Sequence, residues 1–296
     1  MQIKKILVPT DFSEHADHAL ASAVKLARPC GASVHLLHVV QLPLLATSPE
    51  APAIPVTFWQ ELREHAQARL APIKKKLEAD GIRCEVEVLE DIPGFAIAGA
   101  AEKIHADLIV MGSRGLTGVK HVLLGSVAER TVRSSSCPVL TVKTASGELN
   151  LSTILVPMDF SPASQHALEL AKSLAKTAGP SHLVLVHAYY VPVELEQYLL
   201  THGDPFFDRV SKGVTKDLEA ILTSLQDAGI SSEYVARAGV PETVILEVCR
   251  EKKAGLIAMG THGRRGIAHL LLGSVAEKIV RTAEIPVLTV RDRKTA

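Results

Sequence analysis

Ile6-Leu7-Val8-Pro9-Thr10-Asp11-Phe12-Ser13 returns 148 residues later as Ile154-Leu155-Val156-Pro157-Met158-Asp159-Phe160-Ser161. Each copy opens with a continuous apolar run stopped by proline, the pattern of a strand buried on both faces. A Ser follows, the residue type that caps a helix start. The same offset holds near the other end of each half. Residues 111–142 return as 259–290, and 19 of those 32 positions are identical. A period this long repeats a whole domain, so two domains are expected, 1–145 and 149–296. The stretch between them, Thr144-Ala145-Ser146-Gly147-Glu148, is small and polar, as a linker should be.

The first copy predicts strands over 5–9, 33–40, 83–89, 107–111 and 138–142. Helices are expected over 14–30, 58–80 (with a kink at Pro72), 94–106 and 126–134. The first helix should bury Ala16, Leu20, Ala23, Val24 and Ala27 and end at Gly31. Residues 41–55 are Pro-rich and irregular, as is 191–205 in the second copy, whose long helix is expected over 207–228. Strands that alternate with helices make an α/β domain, a five-stranded parallel sheet with helices on both faces. Such sheets bind ligands beyond the carboxyl ends of their strands, where the strand order reverses.

The bulk numbers narrow the function classes. The chain has 296 residues, with 32 Lys plus Arg against 32 Asp plus Glu. A net charge of zero argues against non-specific nucleic-acid binding. The four cysteines, Cys30, Cys84, Cys137 and Cys249, have no metal-type spacing and read as small buried thiols. No targeting segment precedes the first strand, and no apolar run approaches the roughly 18 residues that span a bilayer. A cytoplasmic protein with no membrane partner is expected.

After the fourth strand comes Gly112-Ser113-Arg114-Gly115, then nine residues, then Gly125-Ser126; the second copy has Gly260-Thr261-His262-Gly263 and Gly273-Ser274 at the same spacing. Gly lets backbone come close to a ligand and can turn N–H groups inward. Ser126-Val127-Ala128-Glu129 and Ser274-Val275-Ala276-Glu277 have capping-box form and mark helix starts, which offer free N–H groups to an anion. A Walker A lysine is absent, and so is a G-x-G-x-x-G after the first strand. The residues alone leave open whether this loop cradles a polyphosphate or only turns the chain.

The G-x-x-G, nine residues, G-[ST] segment and the Val-Pro-x-Asp-Phe-Ser opening together resemble the universal stress protein family, twice and over essentially the whole chain. The resemblance implies a Rossmann-like domain of the adenine nucleotide alpha hydrolase type and an ATP ligand, with or without Mg²⁺, in each half. It implies that Pro9, Thr10 and Asp11 lie by base and ribose and that Val39 meets adenine. Met111, Gly112, Ser113, Arg114, Gly115, Gly125, Ser126 and Val127 would hold ribose and phosphates. In the second half Pro157, Met158, Asp159 and Ala188 take the first set of roles. Met259, Gly260, Thr261, His262, Gly263, Gly273, Ser274 and Val275 take the second. Asp11 and Asp159 also read as turn or cap residues, and His38 and His187 as partly buried structural residues. Arg264 and Arg265, in place of Leu116 and Thr117, read equally as phosphate contacts or solvated charges. The resemblance further implies that terminal strands meet across a dimer, here between the two halves of one chain, and a homodimer could add to this.

No H-E-x-x-H or G-x-S-x-G occurs. His121 and His269 occupy matched loop positions, where packing or exposure is favoured over a general-base role. A nucleotide-dependent binding and switching protein is expected, with a weak ATPase or an interaction scaffold with vestigial pockets as alternatives.

Overall fold

A computed structural model describes residues 2–41, 56–115, 124–144, 147–177, 179–189, 206–263 and 272–292, with backbone only for 56 and 206–214. Two compact units, Gln2–Glu148 and Leu149–Ala296, divide the chain. The first comprises β1 (Lys5–Pro9), α1 (Glu14–Cys30), β2 (Ser33–Val40), α2 (Val56–Ala79), β3 (Cys84–Glu90), α3 (Pro93–Lys103), β4 (Leu108–Gly112), α4 (Ser126–Ser134) and β5 (Val139–Val142). The second repeats the series as β6 (Thr153–Pro157), α5 (Pro162–Thr177), β7 (His182–Tyr189), α6 (Phe206–Asp227), β8 (Ser231–Ala238), α7 (Pro241–Glu251), β9 (Leu256–Gly260), α8 (Ser274–Thr282) and β10 (Val287–Val290).

Within the first unit the strands are parallel in the order β3-β2-β1-β4-β5. Within the second the order is β8-β7-β6-β9-β10. The chain steps from β1 to β2 to β3 in one direction, then crosses back to β4. Parallel crossovers are right-handed, so α1 and α2 cover one face and α3 and α4 the other. The reversal falls between β1 and β4, and the gap it opens lies at the carboxyl ends of those strands. Near-continuous burial of the strands follows from cover on both sides: Ile6, Leu7, Val8, Leu36, Leu37, Ile109 and Val110 are all fully buried.

Helix α1 starts where its sequence says it should. Ser13, extended at φ −83°, caps it by accepting from the Ala16 N–H, and Gly31 ends it in the left-handed region at φ 64°. Its buried face is Ala16, Ala19, Ser22, Ala23, Leu26 and Ala27. Leu20 and Val24, expected in that face, are only half-buried. Small residues bring the helix axis close to the sheet, and the larger chains are pushed to the flanks. Helix α2 runs unbroken through Pro72. Cys84, Cys137 and Cys249 are buried as expected, but Cys30, at the last turn of α1, is partly exposed. The Pro-rich stretches 42–55 and 191–205, expected to be irregular, lie outside the described residues, as do Leu116, Thr117, His121, Arg264, Arg265 and His269. Among the described residues no helix is long and apolar enough to cross a membrane.

Two glycines in α3 show how closely it packs. A Cβ added at Gly94 would lie 2.7 Å from Arg130 Cβ in α4, whereas one at Gly99 meets nothing within 4 Å. Gly94→Ala is therefore expected to cost about 1–3 kcal/mol by overpacking. Gly99→Ala should raise stability by about 0.5–1 kcal/mol, since Ala loses less entropy in a helix. Urea unfolding of the two variants checks both signs. Burial pushes the Cys84 and Cys249 thiols up to about 11. Iodoacetamide at neutral pH should thus alkylate Cys30 in the native protein while Cys84 and Cys249 stay unmodified until denaturant is added, as mass spectrometry would read.

Candidate functional site

A cavity of about 710 Å³ opens at the carboxyl edge of the first sheet. Of the expected residues, Pro9, Thr10, Asp11, Val39, Met111, Gly112, Arg114, Gly115, Gly125, Ser126 and Val127 all line it. The fold explains the convergence. Pro9 ends β1, Val39 is near the end of β2, Met111 and Gly112 end β4, and Gly125 to Val127 open α4. Ser113 differs. Its side chain is buried and its Oγ has no hydrogen-bond partner among the described residues, so it sits in the protein rather than along the cavity.

Asp11 serves the turn that leads into α1. Its Oδ1 accepts from the Ser13 N–H at 3.1 Å and the Ser13 hydroxyl at 2.6 Å. Asp159 does the same for Ser161, at 3.0 and 2.5 Å. Between them stand Phe12 and Phe160, left-handed at φ 64° and 59°. That conformation costs a non-glycine residue about 1–2 kcal/mol, and the Asp-to-Ser bonds hold it. In the first half the Thr10 hydroxyl adds a bond from the Phe12 N–H at 3.0 Å; Met158, in its place, has no hydroxyl.

The other carboxylate oxygen of each Asp faces the Gly loop. A Cβ added at Gly115 would lie 2.5 Å from Asp11 Oδ2, and one at Gly263 would lie 2.6 Å from Asp159 Oδ2. The loop glycines have separate jobs. At Gly112 an added Cβ would stand 2.9 Å from the His15 carbonyl oxygen, and at Gly260 it would stand 2.8 Å from Ala163 Cβ. These two glycines admit the first turn of α1 and α5 onto the strand end. Gly112 is therefore a packing residue as well as a cavity residue.

The capping box expected at Ser126 does not form. Gly125 is the N-cap of α4, extended at φ −75°, with no side-chain cap bond. Glu129 instead pairs with Arg133 at 2.9 Å, one turn along its own helix. The second half matches: Gly273 caps α8, and Glu277 lies 3.6 Å from Arg281. The expected helix starts are there, but the reading of Ser126 and Ser274 shifts by one position, to the first helical residue. A Ser there cannot reach the N–H groups it would have capped. The N–H groups of Ser126, Val127 and Ala128 have no acceptor within the helix, and all three residues line the cavity. The dipole puts partial positive charge at the same place. The same cavity has an apolar wall of Leu37, Val39, Val40 and Ile97.

His38 and His187 have the structural role weighed for them. His38 Nδ1 is 2.8 Å from the Thr10 carbonyl oxygen and His187 Nδ1 is 2.7 Å from that of Met158. A carbonyl only accepts, so Nδ1 carries the proton in each. The rings lie 4.7 and 5.2 Å from Phe12 and Phe160. One wall of the cavity comes from residues outside the expected set. Leu62, His65, Ala66 and Arg69 of α2 also line the cavity. Their helix follows the Pro-rich stretch, so its position over β2 could not be read from spacing; a cationic residue three positions after buried Ala66, on the same helix face, was the available signal.

In the second half Met158, Thr261 and Met259 are buried, and Asp159 and Gly263 adjoin as their counterparts do. Gly273 N–H donates to the Thr261 carbonyl at 2.8 Å, as Gly125 does to Ser113 at 2.7 Å. Thr261 Oγ1 is 2.9 Å from His262 Nδ1, and His262 Nε2 is buried with no partner among the described residues. Pro157 ends β6 and Ala188 lies on β7 beside Arg237 of β8. Ser274 and Val275 open α8.

Each half is thus a doubly wound α/β domain with its loops gathered at the strand-order reversal, built twice in one chain. A model of the universal stress protein family matches residues 2–143 and again 150–291. The chain belongs to the universal stress protein family. A universal stress protein of Methanocaldococcus jannaschii is 39% identical over 140 residues, 47% of this chain and 82% of that protein. One from Mycolicibacterium smegmatis is 28% identical over 97% of each chain. The crystal structure of a universal stress protein from Archaeoglobus fulgidus superposes with a TM-score of 0.77 at 28% identity, covering 99% of this chain and 100% of that one. The tandem arrangement is therefore shared with full-length relatives.

The Asp-to-Gly contact has a measurable consequence. Gly115→Ala should cost about 1–2 kcal/mol by displacing the Asp11 carboxylate. In an Asp11→Ala background the same change should cost almost nothing. A double-mutant cycle by chemical denaturation reads the coupling directly; additivity would mean that the two residues do not meet.

Proposed function

We propose that the first half holds an adenine nucleotide, ATP in the reading that the family resemblance suggests, and that nucleotide occupancy switches what the protein binds. One observation carries this reading. The open N–H groups at the start of α4 face the same cavity as an apolar wall on β2, so a ligand that is anionic at one end and flat and apolar at the other suits both. The cavity volume falls within the range of small-molecule sites, about 300–1,000 Å³. Phosphates would sit on Ser126, Val127 and Ala128 N–H groups, with Arg114 beside them. The base would lie along Val39. Asp11, already held by Ser13, would meet the ribose hydroxyls as an acceptor. Mg²⁺ enters this reading with the triphosphate, which supplies its oxygen ligands. The second half, with Asp159, Gly263, Gly273 and Ser274 in matching places, would hold a second nucleotide.

The test uses the helix start rather than Gly112, whose substitution would disturb α1. Ser126 Oγ makes no hydrogen bond among the described residues, so Ser126→Asp breaks none. A carboxylate in the first turn should raise the melting temperature of the unliganded protein slightly through the helix dipole. The same carboxylate would repel phosphate. Wild-type protein should release adenine nucleotide on denaturation and gain thermal stability with added ATP and Mg²⁺. Ser126→Asp should lose one nucleotide per chain. A wild-type chain that releases none and does not respond to ATP would end this reading.

A further inference from the structure

The two halves carry opposite charges at one matched position. Leu70 and Leu77 of α2 are buried, and so are Leu218 and Leu225 of α6 at the repeat offset of 148. Gly81 and Gly229, which follow these helices, are both left-handed, at φ 78° and 73°. The helices are therefore in register. At the residue before the first buried leucine, α2 has Arg69 and α6 has Asp217. Both are exposed.

Arg69 is not a loose surface cation. Its guanidinium carbon lies 3.9 Å from the centroid of the Phe12 ring, and its side chain lines the first cavity. Among the described residues no carboxylate pairs with it. Phe12 itself is fixed in its left-handed turn by Asp11, Ser13 and Thr10. A guanidinium laid on a fixed ring is pre-oriented. Beside a cavity with apolar walls, its field acts on whatever the cavity holds. Phe160 repeats the ring in the second half, but the residue at the place of Arg69 is a carboxylate.

We propose that Arg69 is a specificity-determining residue of the first site, selecting polyanionic ligands over uncharged ones of the same base, and that Asp217 opposes that selection in the second half. One chain then carries two sites that rank the same nucleotides differently by phosphate charge. This inference rests on the nucleotide reading above. It concerns charge preference alone, so the two can fail separately.

Isothermal titration of the full chain with ATP and with adenosine tests it, in wild type, Arg69→Met and Asp217→Arg. Methionine keeps an unbranched stem against Phe12 and removes only the charge. Arg69→Met should weaken ATP binding at one site by roughly fivefold to tenfold while adenosine binding stays within about twofold. The lost factor should shrink at high salt. Asp217→Arg should strengthen ATP binding at the other site by a similar factor. Equal losses for ATP and adenosine in Arg69→Met would show a packing residue and overturn the inference, as would unchanged ATP binding. A wild-type chain that binds neither ligand removes the nucleotide reading and this inference together.

Discussion

A carboxylate at the end of the first strand of each half ties three pieces of chain together. Asp11 bonds the Ser13 N–H and hydroxyl on one side, which fixes the start of α1 and forces Phe12 into the left-handed region. On the other side it stands so close to Gly115 that no side chain fits there. The strand end, the helix start and the loop after β4 are thus positioned by one residue. Because β1 and β4 flank the reversal of strand order, this residue also shapes the cavity mouth. Asp159, Ser161 and Gly263 repeat the device. A turn residue and a site residue are here the same residue, since a carboxylate has more acceptor positions than a helix cap uses.

The repeat conserves backbone and varies side-chain polarity and charge. Proline at the end of the first strand, the left-handed Phe, the close glycines and the glycine N-cap all recur in both halves. Thr10 becomes Met158, His15 becomes Ala163, Arg114 becomes His262 and Arg69 becomes Asp217. Positions in the first group have no room for change: an added Cβ at Gly260 would strike Ala163, as one at Gly112 would strike His15. Positions in the second group present side chains whose replacement leaves the backbone alone. Two copies of one domain can therefore keep the same fold while the side chains around their strand ends diverge.

Most of the strand and helix order was legible because parallel strands buried on both faces read as unbroken apolar runs. Lys5–Pro9 and Ser33–Val40 lie where their sequence placed them. Cys84–Glu90 is shifted by one residue from 83–89, as an outer strand whose face is only half-covered blurs its pattern. The site was legible where it is made of backbone, at the strand ends and the helix start. It was not legible where it depends on how a distant helix lies, and Arg69 was missed for that reason. The capping box misled because Ser-x-x-Glu has the same spelling whether Ser is the cap or the first helical residue. Only the extended ψ of Gly125, 149°, separates the two.

That last distinction bears on what a glycine signature can report. Gly112 and Gly260 are needed for helix packing, and Gly115 and Gly263 for the carboxylate beside them. Gly273 has the Thr261 carbonyl oxygen 2.9 Å from where its Cβ would be. Each of these constraints comes from the protein's own atoms. A member of the family that lost its ligand would still be held to these glycines by its own fold. The features that a bound anion would use are different ones: N–H groups left open at a helix start, and cations such as Arg69 that the fold does not itself consume. The cations, rather than the glycines or the helix starts, are where the two halves of this chain have diverged, and they are where ligand preference should be sought.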